Sequence, residues 1–259
     1  MTHTDMITND GTSFKDYFSH ASADYSSYRP TYPPELFAWL AAQTTHHATA
    51  WDCGCGSGQA SIELVNHYQQ VVATDPSQQQ IASANHHERI SYHVATAEQS
   101  GLDAASVDLV VVAQALHWFD FDRFYGEVRR VAAPGSVLAA ITYGEVRVDG
   151  DPGPVISDFY HTMIGPYWPP ERRHVDALYE SIPFPFPGIP APAFSMDVTW
   201  DLAQLTGYLS TWSAVKEFER LRGTNPLDLI WDRLTAAWGE PSQARHISWP
   251  LTVKAGRVA

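Results

Sequence analysis

Three glycines at alternate positions, Gly54, Gly56 and Gly58, end the run Asp52-Cys53-Gly54-Cys55-Gly56-Ser57-Gly58. The run follows a short apolar stretch, Thr49 to Cys53, and precedes a helical pattern over about 59–68. A glycine-rich turn between a first strand and a first helix lets backbone approach a ligand closely. It also lies at a helix N-terminus, which favours negative charge. Two cofactor classes use that geometry. The dinucleotide fingerprint G-x-G-x-x-G requires a third glycine where the helix packs on the strand, and Gln59 stands there instead. The spacing therefore argues against a nicotinamide-dependent oxidoreductase on the same fold.

The surrounding chain alternates strand and helix signals. Strands are predicted at Thr49–Cys53, Gln70–Thr74, Ile90–Ala95, Val107–Ala113 and Val137–Tyr143, with helices around 59–68, 77–86 and 120–132. The continuous run Leu109-Val110-Val111-Val112 is that of a central parallel strand covered on both faces. The pattern predicts an α/β fold: a doubly wound, mostly parallel, Rossmann-like seven-stranded sheet with helices on both faces. Pro33-Pro34 opens a further helix bearing Leu36, Phe37, Leu40 and Ala41 on one face. Phe194–Trp200 reads as a strand, 201–210 and 226–238 as helices, and His246–Val253 as a last strand. Residues 145–192 are aromatic and proline-rich, and read as a packed, rigid connector.

These signals divide the chain into a polar tail over 1–13, expected to be disordered, and a single domain over 14–259. Within the domain the core covers about 34–144, a lid and substrate-side elaboration about 145–245, and a final strand about 246–257. An N-terminal helical cap and a C-terminal aromatic and helical insertion complete the expected architecture.

Composition narrows the partners. A net charge of −13 without any Lys/Arg-rich run disfavours a phosphate backbone, so no nucleic-acid partner is expected. No apolar stretch reaches membrane-spanning length, and Met1 to Asn9 lack the pattern of a signal peptide. The two cysteines, Cys53 and Cys55, are too close in sequence to staple a fold, which points to a reducing cytoplasm. Both fit as small residues in a crowded loop. No metal site is expected, because C-x-C without a second ligand pair is poor zinc spacing.

Four post-strand segments converge on the crevice outside the carboxyl ends of the strands, where open α/β sheets bind ligands. Asp75 stands twenty-one residues after Gly54, where a carboxylate accepts ribose hydroxyls; its alternative is a turn residue before Pro76. Ala97-Glu98 follows the third strand, with helix capping as the other reading of Glu98, and Gln114 follows the fourth.

With Asp52 ahead of it, the glycine loop resembles motif I of the class I S-adenosylmethionine-dependent methyltransferases. The likeness narrows to the trans-aconitate methyltransferase-like (methyltransferase type 11) branch, which includes members acting on small-molecule carboxylates. It rests on Phe18, Ala23, Tyr25, Tyr28-Arg29-Pro30 and Tyr32-Pro33, and on Ala115-Leu116-His117-Trp118-Phe119. It continues through Tyr167-Trp168-Pro169-Pro170-Glu171-Arg172-Arg173, Ile182-Pro183-Phe184, Gly207-Tyr208-Leu209-Ser210-Thr211-Trp212-Ser213 and Trp249-Pro250-Leu251. The stretch Ala133-Pro134-Gly135-Ser136 departs from it by lacking a second glycine after Pro-Gly.

The resemblance implies an enzyme that binds S-adenosylmethionine and releases S-adenosylhomocysteine. The cofactor residues it implies are Asp52, Gly54, Cys55, Gly56, Gly58, Asp75, Pro76, Ala97, Glu98, Gln114 and Arg29. Those matching Ala97 and Glu98 lie near the adenine, and that matching Gln114 near the methionine moiety. Arg29 either closes over the methionine carboxylate or makes an ordinary surface ion pair. The expected partner is a small-molecule acceptor, with O-methylation of a carboxylate as one outcome, in a monomer or homodimer. A non-catalytic S-adenosylmethionine-binding module is the competing reading.

A carboxylate acceptor needs no general base, whereas a phenol, thiol or amine benefits from one. His117 is the candidate, with a packing role beside Trp118 as the alternative. Tyr167, Trp168 and Trp212 are candidates for an apolar or cation-binding acceptor wall, against core packing. Arg172 and Arg173 are candidates for an anionic acceptor, against a solvated helix face.

Overall fold

A computed structural model describes residues 30–258, together with the backbone of a two-residue antiparallel pairing, Met6–Ile7 with Ser13–Phe14. Apart from that pairing, the tail over 1–13 and the expected helical cap, with Arg29, lie outside the described residues.

Alternation of apolar side chains builds the sheet. Its main strands are β1 (Thr49–Cys53), β2 (Gln70–Asp75), β3 (Ile90–Val94), β4 (Val107–Ala113), β5 (Ala132–Tyr143), β6 (Phe194–Trp200) and β7 (Arg245–Arg257). On β4, Leu109 and Val111 join one buried cluster while Val110 and Val112 join the other. Successive side chains of a strand point to opposite faces, so this split is the signature of a sheet covered on both sides. One face carries α1 (Pro34–Ala42), whose Leu36, Phe37 and Leu40 are fully buried, and α2 (Gln59–Leu64). The other carries α4 (Phe121–Val131) through Phe124, Val128 and Val131. Between them in sequence lies the short α3 (Gln78–Ala82).

The strand order is β6-β7-β5-β4-β1-β2-β3. Strands β1 to β5 pair in parallel, and β7 runs antiparallel to both β5 and β6. From β1 the chain steps outward to β2 and β3, then crosses back to β4 on the other side of β1. The crevice above the carboxyl ends of β1 and β4 is thus a topological switch point.

The expected strands are present, with ends shifted by a few residues. The largest change is at β5, which begins at Ala132, before Pro134-Gly135, with a register irregularity opposite Val107 to Leu109. Gly135 takes a φ of +82°, so Pro-Gly shapes an entry to the strand instead of preceding it.

Residues 145–192 are more structured than a rigid connector. They contain α5 (Pro152–Asp158), a π-helical turn at Phe159–Met163, a 3₁₀ turn at Gly165–Tyr167 and α6 (Arg172–Asp176). Two short pieces, Arg147–Val148 and Gly188–Ile189, pair with β7. Between β6 and β7 come α7 (Leu202–Ser210), α8 (Ser213–Arg222) and α9 (Pro226–Trp238). Of these, α8 lacked a sequence expectation. No helix among the described residues is long and apolar enough to cross a membrane.

Candidate functional site

The loop after β1 is held to β2 by backbone and carboxylate together. The N–H groups of Gly54 and Cys55 both donate to the Thr74 carbonyl, at 2.8 and 3.0 Å. Asp75 Oδ2 accepts the Gly56 N–H at 2.9 Å, and Oδ1 accepts the Ser77 N–H at 2.8 Å. The Asp75 carboxylate therefore joins the loop apex to the end of β2. Gly54, Gly56 and Gly58 have φ of +71°, +54° and +84°, a region that disfavours any residue with a Cβ. A Cβ on Gly54 would lie 2.6 Å from that of Ala115, and one on Gly58 2.1 Å from the Tyr92 hydroxyl. At Gly56 the nearest atom would be 3.9 Å away, so this glycine borders open space. Gln59, which displaces the dinucleotide glycine, donates through Nε2 to the Pro30 carbonyl at 2.7 Å and ties the N-terminal entry to the loop.

Behind the loop, Asp52 is fully buried on β1. Ser61 Oγ donates to its Oδ2 at 2.6 Å, while its Oδ1 has no hydrogen-bond partner. Burial pushes its pKa up to about 7; the Ser61 hydroxyl opposes that rise and the neighbouring Asp75 charge reinforces it. A folded-state value above the unfolded one means that folding takes up a proton. The resulting stability is complete below about pH 4 and lost as pH rises through about 7. The stability of Asp52→Asn relative to the parent chain should therefore climb by roughly 1 kcal/mol per pH unit between pH 4 and 7. Urea unfolding at fixed pH values measures this; a flat difference would show that Asp52 is ionised throughout.

The other post-strand residues gather at the same crevice. Ala97 is buried, and Glu98 Oε1 accepts the Asp120 N–H at 3.0 Å, supporting the N-cap of α4. That contact is the helix-capping reading of Glu98. Gln114 has a φ of +56°, and its side chain bridges to β5: Nε2 donates to the Tyr143 carbonyl at 2.9 Å and Oε1 accepts the Thr142 hydroxyl at 2.6 Å. A non-glycine residue held there is strained. The bridge aims the following segment, Ala115 to Phe119, across the glycine loop.

That segment carries His117, whose Nδ1 lies 2.9 Å from the Tyr179 hydroxyl and whose ring packs on Trp118. Burial, with help from Arg172 and His174, lowers its pKa to about 3, so the ring is neutral at physiological pH. The Arg172 guanidinium stacks on Trp168 and Tyr160, with centroids 4.6 and 5.4 Å away. Its Nε donates to the Tyr160 hydroxyl at 2.8 Å and reaches Asp176 at 3.3 Å. The terminal guanidinium nitrogens have no partner among the described residues. A cavity of about 320 Å³ opens beside it, lined by Tyr160, His161, Trp168, Arg173 and Asp176.

The two arginines singled out in the sequence thus part company: Arg172 is half-buried, whereas Arg173 is exposed. The three aromatics also diverge. Trp168 faces Arg172, while Trp212 belongs to a buried cluster with Phe159, Tyr160 and Tyr208. Tyr167 packs on Phe218 and accepts a bond from Arg222. Sequence reasoning missed Tyr92, Tyr160 and Tyr179. Tyr92 sits inside a strand and Tyr160 in a π-helical turn, with no motif around either. Cys53 and Cys55 are free thiols raised by burial. The described residues contain no cluster of His, Cys, Asp and Glu suited to a metal ion.

Comparison with known proteins adds the family. Residues 51–140, from β1 into β5, match the methyltransferase domain family. A candidate methyltransferase of Dictyostelium discoideum is 32% identical over 231 residues, covering 88% of each chain. The solved structure of a candidate type II methyltransferase from Anaeromyxobacter dehalogenans is 47% identical with a TM-score of 0.84, covering 89% of this chain and 98% of that one. An uncharacterised methyltransferase of Mycobacterium tuberculosis is 37% identical over 126 residues, 48% of this chain and 51% of that one. None of these descriptions specifies an acceptor or the trans-aconitate-like branch.

Proposed function

The chain belongs to the class I S-adenosylmethionine-dependent methyltransferases, and on that premise we propose that it methylates a small acidic molecule on a carboxylate oxygen. The residues around the glycine loop fit the cofactor. Gly56 borders open space, and the orphaned Asp52 Oδ1 is a buried acceptor suited to an ammonium group. The loop from Gly54 to Gly58 would hold the methionine end. Asp75, beside Pro76, would take the ribose hydroxyls, as a carboxylate that stands at the end of β2 against the apex of the glycine loop. The backbone at Ala97 and the side chain of Glu98 would border the adenine. Cys55 and Gln114 would shape the methionine pocket, and Arg29 would stand at its entrance.

When bound, the sulfonium supplies an already activated methyl group; the acceptor oxygen gains it as the carbon–sulfur pair returns to sulfur, and no proton need be removed. The protein's work is to align the reactants and exclude water. Residues 145–245 form the acceptor wall in this reading, and Arg172 carries the assignment. Its guanidinium lies over the faces of two adjoining aromatic rings, has terminal donors without a partner among the described residues and lies near enough to His117 to depress that residue's pKa. Such a fork suits a carboxylate bidentately. Arg173, Tyr167 and Trp212 would act from the rim or from behind, as the outer charge and the packing that hold the wall.

Purified protein incubated with methyl-tritiated cofactor and a panel of carboxylic acids, phenols, amines and thiols tests the reading. The expected product is a base-labile methyl ester formed from an acid. Base-stable label in a phenol, amine or thiol would exclude the carboxylate assignment, and no product from any acceptor would favour a binding module.

A further inference from the structure

Leu178 and Tyr179 follow α6 with φ of +49° and +62°. Two consecutive bulky residues in the left-handed region are strained, and such strain persists only where the surroundings impose it. They are imposed here from several sides. The Tyr179 N–H donates to the His174 carbonyl at 2.8 Å, and Lys254 Nζ, from β7, donates to the Tyr179 carbonyl and to that of Ile182. The outcome is that the fully buried Tyr179 side chain reaches under the 3₁₀ turn Leu116–Trp118 and meets His117 Nδ1 at 2.9 Å.

The start of the 3₁₀ turn, with the backbone N–H groups of Leu116 and His117, lies near the Tyr179 phenol oxygen and opposes the rise that burial gives its pKa. Thr142 also approaches, but its single hydroxyl proton is committed to Gln114 Oε1 at 2.6 Å. The fully buried hydroxyl has one proton to place, and among the described residues His117 Nδ1 is the partner within hydrogen-bond distance of it. A neutral imidazole that accepts at Nδ1 carries its proton at Nε2. The charged and titratable groups around this ring are Arg172, His174 and Tyr179; burial first, and then the Arg172 charge, oppose a second proton on it.

We propose that Tyr179 is a positioning residue that locks His117 as the Nε2–H tautomer, so that His117 meets the acceptor as a hydrogen-bond donor and not as a general base. A site built this way takes acceptors that arrive already deprotonated, because an Nε2–H and the Arg172 fork are both hydrogen-bond donors suited to an anion. The inference rests on the reading of this crevice as the acceptor site of an acid methyltransferase. It turns that reading from a fit of charge into a statement about which proton is where.

The test is nitrogen-15 NMR of histidine-labelled protein, with His117→Gln used to assign the His117 signals. The expected spectrum has an unprotonated Nδ1 and a protonated Nε2, both unchanged between pH 5 and 8. A protonated Nδ1, or a ring that titrates in that range, overturns the proposal. In Tyr179→Phe, with folding checked by circular dichroism, the single tautomer should give way to a mixture. Retention of the pure Nε2–H form would show that Tyr179 does not set it. If that variant fails to fold, the parent spectrum still decides the tautomer. The two readings fail separately: an Nε2–H His117 in a chain that methylates no acid removes only the acceptor class, and a protonated Nδ1 removes only the lock.

Discussion

Gly54→Ala should lower affinity for S-adenosylhomocysteine by at least about 100-fold, with a clear loss of thermal stability. Two costs combine. At a φ of +71° an L-residue is strained by about 1 kcal/mol or more. The new methyl would also sit 2.6 Å from the Ala115 Cβ, far inside contact distance. Ala115 cannot swing away like the end of a long side chain, because Gln114 is pinned to β5 and the 3₁₀ turn begins at Leu116. The loop and the post-β4 segment must therefore separate, and both border the crevice. Gly58→Ala is the informative partner. Its methyl would meet the Tyr92 hydroxyl, the far end of a half-buried ring that can move, so its loss should be smaller. Calorimetric titration of both variants measures the difference; equal affinities in the parent and Gly54→Ala would remove the loop from the binding site.

Arg172→Met should lower kcat/KM for the acidic acceptor by roughly 100- to 1,000-fold while leaving cofactor affinity unchanged. Methionine keeps a flexible stem against Trp168 and Tyr160 but removes the fork. The partner left behind, Asp176, has a side chain 42% exposed, so it is rehydrated and the fold loses little. Arg172→Lys should rescue poorly, because a lysine restores charge without the planar donors that stack and bind bidentately. Steady-state kinetics with the acceptor identified by the labelling panel, alongside calorimetry with S-adenosylhomocysteine, separates the two effects. Parallel losses in cofactor binding and turnover would place Arg172 in general architecture.

The cofactor side of this protein was legible in its sequence because it is written in local terms. A strand–loop–helix with three spaced glycines, an acid ending the next strand and residues after the third and fourth strands each occupy a few consecutive positions. Periodicity then supplied the sheet that brings them together, and the solved structure of a relative shares it. The acceptor side was less readable because its contacts are long-range and its helices are short. Helix α6 has five residues and α5 seven, too few for a 3.6-residue period to emerge from a proline-rich background. Neighbours in sequence also separate there: Arg172 is half-buried and Arg173 exposed, a distinction that depends on Tyr160, twelve residues upstream. The Tyr179–His117 contact spans sixty-two positions and depends on a strained turn with no glycine to mark it.

Strand β7 joins elements that the chain makes at very different times. It pairs with β5, β6 and the short pieces at Arg147–Val148 and Gly188–Ile189, and its Lys254 braces the turn beneath His117. During synthesis the parallel strands β1 to β5 can associate as soon as they emerge, since each pairs with a strand made earlier. The segment between β5 and β7 has no such independence: β6 and the pieces at Arg147–Val148 and Gly188–Ile189 stay unpaired until residues 245–257 leave the ribosome. The nascent chain therefore completes its parallel strands, with the glycine loop between them, well before β7 can fasten the segment that carries Arg172 and Tyr179.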